Sequence, residues 1–497
     1  MTYLDEARTL VKALHQHMSP SPYDIAWMAR VPGDAPGQAR WPDLLEWLIE
    51  HQHPDGSWGS RITYFHDRII CTLAAAIALR KHGPWPEAPV ALKRAQRYLW
   101  HHLHRLPSDP FELVGFELIF PTLLATAQTL NLDVPTHTCG YGAIQNAKIR
   151  LIPPEMLYSP RVTTVHSLEF LGRSGDVEKL RAALAPNGSL GNSPSATAYY
   201  LLMTPDDERP RTYLEMMRAH LGHVMYLYPF RLFELTWTLN NFAFTGRPLT
   251  DFAGPDVWSA LQDGFGPDGL GLDPSFGIPD GDCTSVGLRL LTRAGYHADP
   301  LTLKRFEDNH THIFKTYNYE RNLSVGTNVH ALEALNLLPD YPDRRLAQEN
   351  VLLMLLDQRK FDLYWVDKWH ASPYYATAHA LVGLLQGDFH LFYFCRPTVE
   401  WILHTQRDDG SWGFFQKGTA EETAYALTAL LHYHRYKPLD PEVLWRGATY
   451  LAHAHESNAP YPELWIGKCL FTPYAIVRAA ILSALMLYED TVGRLPG

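Results

Sequence analysis

The sequence predicts an all-α protein built from two helical barrels, and three observations lead to this prediction. Apolar residues recur at the spacing of a helix face in the runs 7–14, 72–79, 122–130 and 476–487. Alternating runs of Val, Ile and Thr are short, so few strands are expected. Helical runs of about 10 to 15 residues separated by Pro, Gly and Asp indicate paired helices packed in series.

The third observation is an octamer that recurs near both ends of the chain. It reads Gln-His-Pro-Asp-Gly-Ser-Trp-Gly at 52–59 and Gln-Arg-Asp-Asp-Gly-Ser-Trp-Gly at 406–413, each time just after an apolar helix. An Asp-Gly turn whose Trp packs back, and whose Gln reaches a neighbouring backbone, would connect successive helices. The repeat therefore predicts two homologous barrels and a structural role for the octamer.

The length of 497 residues allows two or three domains. Segments rich in Pro, Gly, Asn and Asp at 185–194 and 204–210 are the best linker candidates. We therefore predict a helix at 1–20 that packs on the second barrel, a first barrel at 21–215 and a second barrel at 216–497.

Composition narrows the possible functions. The chain has 14 Trp, 26 Tyr and 21 Phe, which indicates a large interior lined by rings, and a net charge of -10 without a basic patch argues against nucleic acid. Five scattered cysteines without a Cys-x-x-Cys pair favour a reducing compartment, so we predict a cytoplasmic protein. The polar N-terminal run is not a signal peptide, and no apolar run reaches the roughly 20 residues of a membrane span. Peripheral membrane contact stays open.

Two carboxylates two residues apart stand at the centre of the chain, in the turn Pro279-Asp280-Gly281-Asp282. The run that follows, 286–294, has helical spacing, so the turn enters a helix N-terminus, with Thr284 or Ser285 as the cap. Taken alone, Asp-Gly-Asp is more typical of a solvated loop. Its meaning depends on the rest of the chain.

The octamers resemble the QW-type repeats of terpene cyclases, and with the acidic turn they make the chain similar to bacterial class II diterpene cyclases. Four more motifs carry the resemblance: Ser-Pro-Tyr-Asp-Ile-Ala-Trp at 21–27, His-Asp-Arg at 66–68, Gly-Phe-Glu-Leu-Ile-Phe-Pro at 115–121 and Leu-Trp-Ile-Gly-Lys at 464–468. The resemblance implies two α/α-barrels, of the family's γ and β types, with the active site between them. It also implies geranylgeranyl diphosphate as substrate and a bicyclic diterpenyl diphosphate as product.

The family's Asp-x-Asp-Asp motif reads Asp280-Gly281-Asp282-Cys283 here, so the third acid is missing, as in bacterial members that carry Thr there. The resemblance makes Asp282 the proton donor. Protonating an alkene needs an acid that keeps its proton near pH 7, which burial and the neighbouring charge of Asp280 would provide. The resemblance also implies a hydrogen bond from Asn328 to Asp282; the alternative is an Asn satisfied by its own backbone.

The diphosphate must be held without being expelled. Lys368 and Lys148 match positions at which related enzymes bind it, and lysine suits that task as a point charge. Mg2+ is expected to screen the diphosphate. Asp67 and Glu117 are the candidate metal ligands, although each could equally pair with a basic side chain.

The end of the reaction depends on where a base or water lies. His166 resembles the His of a water-binding His/Asn pair, but Tyr226 occupies the approximate place of the Asn. Water is then less firmly anchored, and the cation survives to rearrange toward a halimadane or clerodane skeleton such as kolavenyl diphosphate. Aromatic faces would stabilise it, and the candidates are Tyr226, Tyr228, Trp365, Trp369, Tyr374 and Tyr375.

The sequence lacks Asp-Asp-x-x-Asp, so the diphosphate should stay on the product, for a downstream diterpene synthase or phosphatase. Four alternatives remain: a copalyl-type (labdane) product, triterpene cyclisation, a non-catalytic isoprenoid-binding barrel, and zinc-dependent prenyl transfer. The last would use Cys283 and one acid of the turn, with His330, His370 or His379 completing the metal site.

Overall fold

The computed structural model describes residues 2–82, 86–320, 322–387, 391–457 and 459–494. Its helices confirm the all-α prediction, and in chain order they are α1 (Tyr3–Lys12), α2 (Pro22–Ala29), α3 (Asp43–Glu50), α4 (Phe65–Lys81), α5 (Ala88–His102), α6 (Phe116–Thr129), α7 (Tyr141–Leu151), α8 (Val177–Ala182), α9 (Pro194–Leu201), α10 (Glu208–Leu221), α11 (Arg231–Ala243), α12 (Pro255–Asp263), α13 (Gly281–Ala294), α14 (Leu301–Lys304), α15 (Val325–Leu335), α16 (Arg344–Asp357), α17 (Pro373–Gln386), α18 (Phe392–His404), α19 (Ala420–His434), α20 (Pro441–Glu456) and α21 (Tyr474–Thr491). Shorter 3-10 segments cover Leu103–Ser108, Thr163–Ser174 and Leu249–Asp251. In these ranges no helix is both long and apolar enough to cross a membrane.

The second half of the chain closes into a barrel of helix pairs. Each of α11, α13, α15, α17, α19 and α21 packs on the next, and α21 packs back on α11, which closes an inner ring. The helices between them, α12, α14, α16, α18 and α20, pack outside. Inner helices are apolar on nearly every side because both of their faces are covered.

The first barrel is built in the same way. Its ring runs through α2, α4, α6, the 3-10 segment Thr163–Ser174 and α9, which returns to α2, while α3, α5, α7, α8 and α10 lie outside. The predicted architecture of two α/α-barrels is therefore confirmed.

Helix α1 belongs to the outer layer of the second barrel, although the whole first barrel follows it in sequence. It packs on α21 and α11. The boundary that we placed near residue 215 falls inside α10 (Glu208–Leu221). We keep the division into 1–20, 21–215 and 216–497 as a proposal.

The octamers tie each turn to the inner helix that follows it. Trp58 donates its backbone N–H to the Thr72 hydroxyl (3.1 Å) and its indole N–H to the carbonyl of Leu48 (2.6 Å). Trp412 forms the same pair of bonds in the second barrel. The Trp thus has the structural role that we predicted: its buried ring and two hydrogen bonds hold two helices together.

Gln52 confirms the rest of the prediction, because its side chain donates to the carbonyl of Ala91 at the start of α5 (2.9 Å). The glycine of the octamer is required by its conformation. Gly56 has a φ of +96°, and a Cβ there would lie 2.6 Å from the carbonyl oxygen of Arg94.

Three further turns, which we did not predict from the sequence, form the same bond from a backbone N–H to a threonine hydroxyl. They run from Leu190 to Thr197, from Leu270 to Thr284 and from Trp365 to Thr377, at 2.9 to 3.0 Å. Our interpretation of 185–194 as a linker is therefore wrong: it is a barrel turn in which Leu replaces Trp. The degenerate copies escaped detection because only the bond geometry is kept.

A short hairpin joins the two barrels. Strands β1 (Trp465–Ile466) and β2 (Leu470–Phe471) pair antiparallel. At its tip Lys468 is fully buried, and its Nζ donates to Glu169 Oε1 (2.8 Å), to the carbonyl of His166 (2.8 Å) and to the Ser193 hydroxyl (2.5 Å). The hairpin is thereby fixed to the first barrel while its strands face the second.

The motif at 21–27 meets the same network from the other side. Tyr23 donates its hydroxyl to Glu169 (3.1 Å), and Asp24 accepts the backbone N–H of Ser195 (2.9 Å). Burial raises the pKa of Asp24 to about 6, against the opposing effect of Lys468. Two motifs that sequence analysis could use only as family signatures therefore form one buried interface between the barrels.

Candidate active site

An aromatic cavity opens at the mouth of the second barrel. The volume between the protein atoms, including the part open to solvent, is about 590 Å3. The first turns of α11, α13 and α17 and the hairpin form its walls, and the lining residues are Met18, Tyr226, Leu227, Phe233, Trp237, Leu272, Asp280, Asp282, Cys283, Thr316, Tyr317, Trp369, Tyr375, Trp465, Ile466 and Phe471. Such walls suit an apolar, unsaturated ligand.

Asp280 is the N-cap of α13, so the predicted caps Thr284 and Ser285 are wrong. Its Oδ1 accepts the backbone N–H of Cys283 (2.6 Å), while its buried Oδ2 has no hydrogen-bond partner among the described residues. Gly281 is needed here because a Cβ would lie 2.3 Å from the carbonyl oxygen of Lys315. Burial, aided by the charge of Asp282, raises the pKa of Asp280 to about 7.

Asp282 follows at the cavity wall, with a side chain 9% exposed. Its Oδ1 lies 2.6 Å from Nδ1 of His330, whose Nε2 lies 2.8 Å from Nδ1 of His379. Oδ2 has no hydrogen-bond partner in the described part of the chain, so it is the oxygen left to face the cavity. Burial opposes protonation of His330, but the Asp282 carboxylate outweighs it, and the pKa of His330 is raised.

Asn328 does not contact the acid, so the hydrogen bond that we predicted from Asn328 to Asp282 is wrong. Its amide donates to the carbonyls of Phe314 (2.8 Å) and Ser324 (2.8 Å), and its oxygen accepts the N–H of Phe314 (2.8 Å). The alternative of an Asn satisfied by backbone is correct. His330, two residues further along the helix, takes the predicted place.

Cys283, in the place of the family's third acid, is a buried thiol on the cavity wall. Burial, together with Asp280 and Asp282, raises its pKa, so it stays protonated. Among the described residues, no group of three or more His, Cys, Asp or Glu side chains is arranged to hold a metal ion. The absence of such a group among these residues gives the zinc-dependent alternative no support.

The two predicted diphosphate lysines each pair with a glutamate. Lys368 pairs with Glu320, donates to the carbonyl of Asn322 (2.8 Å) and lies 5.1 Å from the ring centre of Trp369, which lines the cavity. Lys148 pairs with Glu117 and is 47% exposed. Lys368 is therefore next to the cavity, whereas neither lysine belongs to its lining.

The predicted metal ligands are not brought together. Asp67 is fully buried, and its oxygens accept the backbone N–H groups of Ser60 (2.6 Å) and Leu470 (2.8 Å). Both of its oxygens hold the backbone in place, so its contacts give no support to the prediction that it binds a metal. Glu117 pairs with Lys148 and stays a candidate.

His166 and Tyr226 are neighbours, as the resemblance implied. Their rings meet edge to face with centres 5.6 Å apart, and Tyr226 lines the cavity. His166 donates Nδ1–H to the carbonyl of Gly191 (2.8 Å). Burial and the nearby Lys468 lower its pKa to about 3, so His166 is neutral and offers Nε2 as an acceptor.

The predicted aromatic residues separate into two groups. Tyr226, Trp369 and Tyr375 line the cavity. Trp365 instead donates its indole N–H to the carbonyl of Leu355 (2.7 Å) in the manner of the octamer Trp residues, and Tyr374 stacks on Trp401 at 5.0 Å. Tyr228 is also outside the lining, with its ring centre 5.2 Å from that of His220. Trp365, Tyr374 and Tyr228 are therefore not placed to stabilise a cation in the cavity.

Two buried carboxyl groups stand at the wall of an aromatic cavity, next to the hairpin that connects the two helical barrels. This arrangement is typical of an enzyme that protonates an apolar substrate. Comparison with known proteins agrees. The chain is 33% identical to a type B diterpene cyclase from Mycobacterium tuberculosis, over 98% of this chain and 100% of that protein. It is 32% identical to an ent-copalyl diphosphate synthase from Streptomyces sp. (strain KO-3988), over 94% and 92% of the two chains.

Comparison with solved structures points to the same class of enzyme. An ent-copalyl diphosphate synthase from Streptomyces platensis superposes with a TM-score of 0.81 at 29% identity, over 98% of this chain and 99% of that one. No family model matches the sequence. The chain belongs to the bacterial class II diterpene cyclases.

Proposed function

We propose that this enzyme converts geranylgeranyl diphosphate into a bicyclic diterpenyl diphosphate. Asp282 donates its proton from Oδ2 to the terminal double bond, the resulting cation is attacked by the next double bonds in turn, and loss of a proton ends the reaction. Substrate and product are then isomers, and the diphosphate is retained. The observation that supports this most directly is Asp282 at the wall of an aromatic cavity, with one oxygen beside His330 and the other free.

We further propose that the product is of the rearranged halimadane or clerodane type, with a copalyl-type product as the alternative. The support is Tyr226, which places an aromatic face on the cavity beside His166 where a water-holding amide is absent. A (+)-kolavenyl diphosphate synthase from Herpetosiphon aurantiacus is 27% identical over 97% of this chain and 97% of that protein. The ent-copalyl diphosphate synthase from Streptomyces sp. (strain KO-3988) is more similar, at 32% identity, so only identification of the product can distinguish the two skeletons.

We propose that Mg2+ is held mainly by the diphosphate and water, with Glu117, which pairs with Lys148, as the candidate side chain. The described residues form no ready-made cluster of metal ligands, which fits a cation that keeps most of its own hydration. When bound, it would neutralise diphosphate charge. A downstream diterpene synthase or a phosphatase would then consume the product.

The test is to incubate the purified protein with geranylgeranyl diphosphate and Mg2+, dephosphorylate the product and identify the alcohol. A rearranged bicyclic alcohol supports both proposals, and a labdane alcohol supports cyclisation alone. Recovery of unchanged substrate would instead favour a non-catalytic isoprenoid-binding protein.

We expect kcat to fall as pH rises above about 7. The pKa of Asp280 is raised to about 7, so the proton held by the acid pair is present below that pH and lost above it. In Asp280→Asn the amide oxygen can still cap α13, but the carboxyl whose pKa is raised to about 7 is gone. The fall of kcat near pH 7 should therefore move in that variant, measured between pH 5 and 9; an identical profile would contradict the role of Asp280.

Lys368→Met should raise KM about 10-fold or more with a smaller change in kcat, because it removes a charge that binds the unreacting diphosphate. The matched control is Lys179→Met. Lys179 also pairs with an acid, Asp176, and lies 5.7 Å from the ring centre of Tyr158, but far from the cavity lining. Equal KM values for the two variants would refute diphosphate binding by Lys368.

A further inference from the structure

A layer of polar side chains lies inside the second barrel, one level below the acid. It consists of His379, Arg289 and Glu333, which are 2%, 2% and 4% exposed. Arg289 lies two helical turns after Asp282 on α13, and Glu333 one turn after His330 on α15, so these pairs share a helix face. The catalytic step described above uses none of the three.

With both histidines neutral, the hydrogen-bond chain from His379 through His330 to Asp282 has two possible directions. In one, His379 Nδ1–H donates to His330 Nε2 and His330 Nδ1–H donates to Asp282 Oδ1. In the other, Asp282 carries its proton on Oδ1 and donates it to His330 Nδ1, and His330 Nε2–H donates to His379 Nδ1. The two differ at the far end, because the first leaves His379 Nε2 as a bare acceptor and the second makes it an N–H.

The charges around that far end favour the first direction. His379 Nε2 is buried without a hydrogen-bond partner in the described part of the chain, and so is Arg289 Nη2. Arg289 is fixed nearby, since both it and His379 contact the ring of Phe244. Its Nη1 donates to Asn240 Oδ1 (2.6 Å) and lies 3.1 Å from Glu333 Oε2. Burial, His330 and this guanidinium together lower the pKa of His379, which keeps it neutral. A lone pair beside a cation is favourable, whereas an N–H there is not.

Glu333 affects His330, the middle member of the hydrogen-bond chain, and favours the same direction. Its carboxylate, like that of Asp282, raises the pKa of His330, so it favours protonation of the ring whose Nδ1 lies 2.6 Å from Asp282. The Glu333 side chain packs against Gly383, one helical turn after His379, where a Cβ would lie 3.6 Å from its Cγ. The polar layer is thus continuous across three inner helices.

We propose that His379 is a positioning residue for the acid. By donating to His330 Nε2, it holds His330 as the Nδ1–H tautomer, so that Asp282 Oδ1 is fixed as an acceptor and the transferable proton is confined to Oδ2, which faces the cavity. After transfer, the His330 N–H stabilises the carboxylate that remains. The inference rests on the proposed function and deepens it.

The first experiment compares two buried histidines. His379→Phe removes the donor and should lower kcat about 10-fold or more at unchanged KM, while His379→Gln, which keeps a donor, should recover most of that loss. The control is His432→Phe: His432 is 3% exposed, contacts Phe244 as His379 does, and donates to the Phe244 carbonyl away from the acid (2.9 Å). It should stay within about twofold of the parent.

A double variant separates positioning from packing. The amide of His330→Asn can donate to Asp282 but has no tautomers for His379 to select. Adding His379→Phe to His330→Asn should therefore leave kcat the same as in His330→Asn alone. Equal losses in both backgrounds, or an equal loss in His432→Phe, would overturn the proposal. Melting curves confirm folding of each variant. Failure of the proposed function itself is distinguishable, because the parent enzyme would then form no cyclic product.

Discussion

Asp282→Asn should lower kcat by about 10³-fold or more while leaving the fold intact. The amide has the shape of the carboxyl and its oxygen can still accept from His330 at the 2.6 Å position, but it holds no proton acidic enough for an alkene. Cyclic product formed from geranylgeranyl diphosphate measures activity, and the melting temperature measures folding.

The matched control is Asp273→Asn. Asp273 is also a buried turn aspartate, 8% exposed, and its oxygens accept from Ser275 and from the N–H of Arg231 at the start of α11. An amide oxygen can keep the bonds from Ser275 and gives up only the 3.2 Å bond from Arg231, and Asp273 is not part of the cavity lining, so activity should stay within a few-fold of the parent. Wild-type activity in Asp282→Asn would remove Asp282 from the mechanism, and a loss in both variants would indicate a structural cause.

Lys468→Met should lower the free energy of unfolding by about 3–5 kcal/mol. The lysine is fully buried and its ammonium lies 2.8 Å from Glu169, so its removal leaves an unpaired buried carboxylate. Because Lys468 fixes the hairpin that walls the cavity, activity should fall as well. Urea unfolding followed by circular dichroism measures the change.

Two further variants test the cause of that loss. In Lys468→Met combined with Glu169→Leu the uncompensated charge is gone, so much of the stability should return. Lys148→Met breaks a pair in which the lysine is 47% exposed, and it should cost no more than about 1 kcal/mol. Similar losses for Lys468→Met and Lys148→Met would show that burial of the pair is not what matters.

The sequence predicted what depends on local pattern. Helical periodicity predicted the all-α class. The octamers with Trp58 and Trp412 predicted the paired barrels, because each octamer is a short segment whose Gly, Gln and Trp contact helices close to it in sequence. The acidic turn was also found, since its two carboxyls are adjacent in the chain.

The wrong predictions concern bonds between distant segments. Asn328 and His330 lie two residues apart, and only the packing of α15 on α13 decides which of them reaches Asp282. Asp67 looked like a metal ligand until Leu470, about 400 residues away, occupied one of its oxygens. Trp365 belongs to a turn whose other signature residues have changed, so its sequence gave no sign of the shared bond.

The position of α1 makes the first barrel an insertion within the second. Residues 3–12 pack on α21 and α11, so the second barrel is assembled from two stretches of chain that flank the first barrel in sequence. An excised fragment of residues 216–497 would therefore expose the apolar stripe that α1 covers. Joining residues 1–20 to it through a flexible linker would restore that cover, which makes a two-segment design the rational starting point for isolating the acid-bearing half.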